Sequence, residues 1–223
     1  MPQQHISSKK TISRRSFLQQ SLTLPVAFLI AACAGSVSNT GSTGQTAASP
    51  QASTGAQSTK AASTPACSGT PTPSQTEGPY YKPGSPERTS LREPGLPGTP
   101  LTITGYVFST NCQPVAHAWL DFWQADSNGN YDNTGFNLRG HQFTDQQGRY
   151  HLETVVPGEY PGRTRHIHVK VQAPGQPVLT TQLYFPGESR NTSDSIFSPE
   201  LLMQVQSTSN GQLATFNFVL ALQ

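Results

Sequence analysis

Turn signals crowd the second half of this chain and limit what it can fold into. Pro157-Gly158, Pro174-Gly175 and Pro186-Gly187 are followed by Asn210-Gly211, a dipeptide suited to a tight hairpin. No length between them shows a convincing amphipathic helical period, and Ser193 to Phe197 accommodates at most a short turn. Alternation and β-formers prevail instead. Strands are predicted at Leu101–Phe108, Ala118–Gln124, Gly148–Thr154, Arg165–Gln172, Val178–Phe185, Leu201–Gln206 and Leu213–Leu222. Seven short strands at this spacing predict an all-β fold, an antiparallel β-sandwich occupying residues 71–223. Thr76–Gly84 is rich in turn formers yet carries Tyr80 and Tyr81, so long ordered loops are expected on the sandwich.

The residues ahead of the sandwich read as a route out of the cytoplasm. Ser13-Arg14-Arg15-Ser16-Phe17-Leu18 resembles the bacterial twin-arginine export motif. The apolar run that follows, Leu22 to Ala32, is too short to span a bilayer as a helix. It ends in Ile30-Ala31-Ala32-Cys33, which looks like a lipobox. Residues 1–32 are therefore expected to be a signal peptide and Cys33 a lipidated anchor, periplasmic or at the cell surface. A simply cleaved signal is the alternative. Residues 33–70 are largely Ser, Thr, Ala, Gly and Gln and read as a flexible linker. In an oxidising compartment the remaining pair, Cys67 and Cys112, is a candidate disulfide. The net charge of +2 hides an uneven split, since Lys9, Lys10, Arg14 and Arg15 belong to the signal and the remainder is slightly acidic. No clustered basic surface is visible there, which sets nucleic acid aside as a partner.

The chemistry concentrates between Pro157 and Val171. His166 and His168 sit two apart in a predicted strand, so both imidazoles face one side and can share a metal. Tyr160 follows the Pro157-Gly158 turn, and Tyr131 stands where a strand gives way to a loop. Two phenols and two imidazoles make a hard N/O donor set suited to ferric iron. Arg163 would stand as a cation beside that anionic site. A plainer reading exists. Gly129-x-Tyr131, Gly148-x-Tyr150 and Pro157-Gly158-x-Tyr160 also occur in non-catalytic prealbumin-like sandwich modules, where the corner tyrosine hydroxyl bonds backbone. The His-x-His pair favours the metal.

Taken in order, these pieces resemble the intradiol ring-cleavage dioxygenases, the family of catechol 1,2- and protocatechuate 3,4-dioxygenases. The resemblance rests on Gln75-Thr-Glu-Gly-Pro-Tyr80, Trp123 through Tyr131, Arg139-Gly140 with Thr144-Asp145, Pro157-Gly-Glu-Tyr160, Arg163 through His168, and Thr181-Gln-Leu-Tyr-Phe185. It implies a non-haem Fe(III) held by Tyr131, Tyr160, His166 and His168. It implies that O2 is inserted between the hydroxyl-bearing carbons of a catechol to give a cis,cis-muconate-type diacid. Arg163 and Gln182 match residues that assist the reaction, with Tyr160 leaving the metal as substrate binds, and Tyr80 and Arg163 match positions that meet substrate. Arg165 replaces a usually small residue, and the segment from Tyr160 to His166 is shorter than in the protocatechuate enzymes. No helical dimerisation domain of the catechol 1,2-dioxygenase kind is present, which fits an exported, lipoprotein branch; a homo-oligomer stays open. The alternative is a lipid-anchored sandwich that binds a catecholate or surface ligand without turnover.

Overall fold

The computed structural model describes residues 66–223. Nine strands run in the order β1 (Pro100–Ser109), β2 (Trp119–Trp123), β3 (Arg139–Phe143), β4 (Arg149–Val155), β5 (His166–Gln172), β6 (Leu179–Tyr184), β7 (Gln204–Thr208), β8 (Gly211–Thr215) and β9 (Phe218–Leu220). Two single turns of 3-10 helix, Ser189–Thr192 and Pro199–Leu201, fall between β6 and β7. One sheet has the order β4-β1-β8-β7, with β9 also paired to β1, and the other has the order β3-β2-β5-β6. Among the described residues no helix is long and apolar enough to cross a membrane.

Alternation builds the core. Leu101, Ile103 and Val107 of β1 and Leu152 of β4 point inward to meet Leu120 and Phe122 of β2 and Ile167, Val169 and Val171 of β5. Each such side chain stabilises the fold by roughly 1.5–3 kcal/mol relative to exposure.

The two-sheet all-β sandwich stands as expected. The strand expected at Leu201–Gln206 begins only at Gln204, after a 3-10 turn that ends at Leu201, and three further differences concern pairing and strand number. Pairing is not wholly antiparallel: β1 runs parallel to β8 and to β9, because the hairpin at Asn210-Gly211 sends the chain back alongside β1 in its own direction. The expected last strand is two. Phe216 bulges out between β8 and β9, and a Cβ on Gly105 would lie 1.7 Å from its carbonyl oxygen. The third difference is β3, an unpredicted strand whose Arg-Gly-His-Gln-Phe sequence lacks β-branched residues and takes its form from antiparallel pairing with β2.

Residues 72–91 then form a strap across the outer face of the β3-β2-β5-β6 sheet. Backbone bonds from Gln75 N to Thr180 O, Arg88 N to His141 O and Leu91 N to Glu153 O tie it down. Beneath it lies Asp121, only 2% exposed, which accepts from Ser85 Oγ at 2.7 Å and Tyr81 Oη at 3.1 Å. Burial raises the Asp121 pKa against the pull of those two hydrogen bonds. Lys170 binds Glu77 at 2.6 Å and caps the Tyr81 ring at 4.6 Å. Ahead of the strap, Cys67 and Cys112 form a disulfide with Cα atoms 5.7 Å apart and 45 residues of separation. Closing a loop of that length restricts the unfolded chain by about 4 kcal/mol in the chain-entropy account.

Candidate metal centre

Strand register decides which side chains share the outer face. Trp123 of β2, His168 of β5 and Gln182 of β6 are direct cross-strand partners, so one row of the sheet carries all three. Trp123 stacks flat on the His168 ring at 4.8 Å and 7°. His166, two residues earlier, faces the same way.

The two imidazoles are 5% and 3% exposed, and their Nε2 atoms lie 3.1 Å apart. His166 Nδ1 lies 2.6 Å from the Thr164 carbonyl, which can only accept, so Nδ1 carries the proton and Nε2 keeps its lone pair. Burial lowers the His166 pKa to about 4. Burial and then the neighbouring ring push His168 well below its usual value. Both rings are neutral at pH 7, the state a metal requires. Among the described residues His168 Nδ1 is buried without a partner, so a proton there costs His168 no bond and leaves its Nε2 free to ligate beside His166. Two lone pairs 3.1 Å apart can both reach one ion at about 2.1 Å.

Two glycines bring the phenols to this pair. Gly129, at φ +85°, lies against the Tyr160 loop so closely that a Cβ would sit 2.1 Å from Glu159 O, and a Cβ on Gly158 would meet Gly129 N at 2.4 Å. Gly158 N also donates to Asp126 O at 2.7 Å. With the loops locked, the rings of Tyr131 and Tyr160 stand nearly perpendicular at 6.1 Å, and Tyr131 lies 6.3 Å from His168. Burial raises the Tyr131 pKa, while the Arg163 and Arg139 cations oppose it. Tyr80, on the strap, stacks on Tyr131 at 4.3 Å and brings its hydroxyl 3.4 Å from that of Tyr160. That contact, followed by desolvation, raises the Tyr80 pKa.

The plainer reading of the tyrosines meets a specific obstacle. Tyr150, not Tyr160, donates its hydroxyl to a backbone carbonyl, that of Phe216 at 2.8 Å. The Tyr160 hydroxyl makes no hydrogen bond to backbone among the described residues and meets the Tyr80 hydroxyl instead. Among those residues no three His, Cys, Asp or Glu side chains cluster as a metal site. A metal here must draw on phenol oxygen, and the two neutral nitrogens with two adjoining phenols fit a hard trivalent ion.

Arg163 and Gln182 complete the constellation. Arg163 Nη2 donates to Gln182 Oε1 at 2.6 Å, and Gln182 Nε2 donates to Thr76 O at 2.8 Å, so the amide is oriented from both ends. Tyr184 adds its hydroxyl to Gln182 Oε1 at 3.0 Å. Tyr80, Tyr131, Tyr160, Arg163, His166, His168 and Gln182 are thus all brought together. Cys33 lies outside the described residues. Sequence reasoning assigned no role to Arg139, which is 1% exposed and has no carboxylate partner among those residues. It donates to Tyr80 O at 2.6 Å and twice to Asp132 O, at 3.0 and 3.1 Å, clamping the strap and the Tyr131 loop together. The Arg139-Gly140 pair was visible as a motif, but the placing of Arg139 on the outer face beneath the strap depends on the pairing of β3 with β2.

A family model described as "Dioxygenase" matches residues 76–222, well over half of the chain. The chain belongs to the intradiol ring-cleavage dioxygenase family. Among curated relatives it is 33% identical over 148 residues to catechol 1,2-dioxygenase 2 of Acinetobacter lwoffii, covering 55% of this chain and 54% of that one. It is 28% identical over 171 residues to 6-chlorohydroxyquinol 1,2-dioxygenase of Cupriavidus pinatubonensis, covering 64% and 62%. The chain therefore spans roughly half to three-fifths of these relatives' length. Among solved structures, the dioxygenase domain of a dioxygenase carbohydrate-binding protein fusion from Streptomyces sp. SirexAA-E is 62% identical. That match covers 69% of this chain and all of that one, with a TM-score of 0.68. The 3-chlorocatechol 1,2-dioxygenase of Rhodococcus opacus 1CP is 29% identical, covering 68% and 73%, with a TM-score of 0.64. Intradiol dioxygenase kinship thus accounts for the sandwich and for the motifs that converge on its outer face.

Proposed function

We propose that this protein is a non-haem Fe(III) intradiol dioxygenase. It would insert O2 between the two hydroxyl-bearing carbons of a catechol-type diol and release a cis,cis-muconate-type diacid. The observation that carries the reading is the pair of neutral imidazole nitrogens 3.1 Å apart beside two phenols in perpendicular rings. Tyr131, Tyr160, His166 and His168 would hold the iron, which when bound supplies the Lewis acidity that activates a catecholate toward O2.

The side chains of this protein do the remainder. Arg163, fixed through Nε and Nη2, offers its other guanidinium edge to negative charge that develops on substrate oxygen. Gln182 keeps that guanidinium beside the His168 row. Tyr80, with its hydroxyl 3.4 Å from that of Tyr160, would offer Tyr160 a hydrogen-bond and proton-exchange partner. Trp123 and the strap keep water off His168. The relatives are named for catechol, 6-chlorohydroxyquinol and 3-chlorocatechol, and a plain catechol is the first substrate to try.

Iron-replete protein should consume one O2 per catechol and yield a ring-opened diacid; bound iron without oxygen uptake would leave a catecholate-binding module instead. We also propose twin-arginine export and a lipid anchor on Cys33, both from the N-terminal motifs. A palmitate-analogue label should enter the protein and be lost in Cys33→Ser; equal labelling of both would end that idea.

A further inference from the structure

Arg163 owes its direction to a residue outside the motifs described so far. Its Nε donates to Asp194 Oδ2 at 2.8 Å, and the Asp194 side chain is 1% exposed. The same carboxylate accepts from Thr164 N at 2.9 Å and, through Oδ1, from Ile196 N at 3.1 Å. Burial would raise the Asp194 pKa, but those backbone bonds and the Arg163 charge outweigh it and hold it below the ordinary carboxylate range. With Nη2 engaged by Gln182, Arg163 Nη1 is left without a partner among the described residues. The guanidinium is therefore gripped along one edge and free on the other.

Three further ties join the same two segments. Thr164 Oγ1 donates to Asn191 Oδ1 at 2.7 Å, Arg165 meets Glu188 at 3.0 Å and Arg190 meets Glu159 at 2.7 Å. Of the four contacts, the one through Asp194 is the most buried and the one that grips a charged group of the site. An exposed pair contributes little; a shielded, charge-assisted bond fixes direction.

We infer that Asp194 is a positioning residue. It clamps the Nε edge of Arg163 so that the free edge faces the substrate oxygens of the reaction proposed above. Lys cannot replace Arg here, because an ammonium has no second edge.

The test pairs Asp194→Asn with Arg163→Ala and reads three quantities: kcat against KM for catechol, the visible spectrum of the iron-loaded protein, and the Arg163 side-chain 15Nε–1H resonance. Read on the metal-free protein, wild type should show a slowly exchanging Nε–H signal that disappears in Arg163→Ala, while that of Arg139 stays in both. Asp194→Asn should lose that protection and lower kcat by roughly 10²-fold, the scale of a 1 Å misplacement. KM and the spectrum should hold. Adding Asp194→Asn to Arg163→Ala should cost nothing more, since the clamp would have nothing left to hold. Asn191→Ala separates orientation from loosening: it cuts a tie in the same brace and should lower Tm without moving kcat. An unchanged Nε–H signal in Asp194→Asn, or an additive loss in the double variant, overturns the inference. A wild type without oxygen uptake sinks the dioxygenase reading, while the resonance still decides the clamp.

Discussion

The two outer faces of the sandwich obey the same strand alternation and end in opposite states. On the β4-β1-β8-β7 sheet the outward positions of β4 stay in solvent: His151 and Glu153 are each half-exposed and lie 3.7 Å apart. A cleft of about 950 Å3 lined in part by Thr104, Tyr106, His151 and Phe216 opens on that side. On the β3-β2-β5-β6 sheet the outward positions of β5 and β6 hold His166, His168 and Gln182, all buried. The strands do not make this difference; the coverings do. The strap from 72 to 91, the Tyr131 and Tyr160 loops and the 188–196 segment roof one face and leave the other bare. Space alone is not chemistry. What would make an outward histidine a ligand is a roof that keeps it dry, neutral and aimed.

Removing one histidine from each face should break the comparison most visibly. His168→Ala should weaken iron binding beyond the roughly 10–100-fold typical of losing an outer-shell partner, and abolish oxygen uptake. His151→Ala should leave both within about two-fold, since the surface pair it breaks is worth at most ~1 kcal/mol. Metal titration of the two variants settles this. Equal effects would mean the roofed face holds no metal.

The hydroxyls of Tyr160 and Tyr150 offer the next contrast. Tyr160→Phe should lower kcat by at least roughly 10²-fold at near-wild-type stability. Tyr150→Phe should do the reverse, costing about 1–3 kcal/mol because Phe216 O loses its donor, with kcat close to wild type. Kinetics and urea unfolding on both variants would expose any exchange of roles.

A pH series on metal-free protein probes the burial itself. His166 is held near pKa 4 when folded, against about 6.5 when unfolded. Between those values the unfolded chain binds more protons, so stability rises with pH through the window and is lost as pH falls from 6.5 to 4. The span corresponds to about 3 kcal/mol, and His168 acts in the same direction. Urea unfolding from pH 4 to 7 measures it, and His166→Asn should flatten the slope. A slope of opposite sign would mean that these rings are solvated.

The smallest effect expected is on Arg149, whose pair with Asp145 is exposed on both sides. Arg149→Met should shift stability by less than ~1 kcal/mol. Arg139→Met on the roofed side should exceed it several-fold, because two carbonyls lose charge-assisted donors. Thermal unfolding of the two variants compares them directly.

Much of this contrast was legible in the residues. Alternation in Leu101–Phe108 placed β1, and His166-x-His168 in a β-rich run placed two imidazoles on one face. The phenols were readable because Pro157-Gly158 and Asn128-Gly129 announce turns just ahead of them. Three things were not. β3 could not be read because Arg139-Gly-His-Gln-Phe forms a strand only against β2, a tertiary effect that overrides local preference. Parallel pairing of β1 with β8 and β9 depends on where the last hairpin lands, and hydrophobic period carries no such information. Asp194 stands in a stretch with no strand or helix period, and its importance comes from Arg163, 31 residues earlier. Local pattern shows which side chains leave a face together; it does not show what will cover them.

In the function proposed above, the roofed face holds ferric iron through Tyr131, Tyr160, His166 and His168. Visible absorption of protein purified after iron-replete expression tests it most directly. About one iron per chain and a broad phenolate-to-iron charge-transfer band are expected, the band lost in His168→Ala and altered in Tyr160→Phe. Colourless, iron-free protein, or a band indifferent to both substitutions, would contradict it.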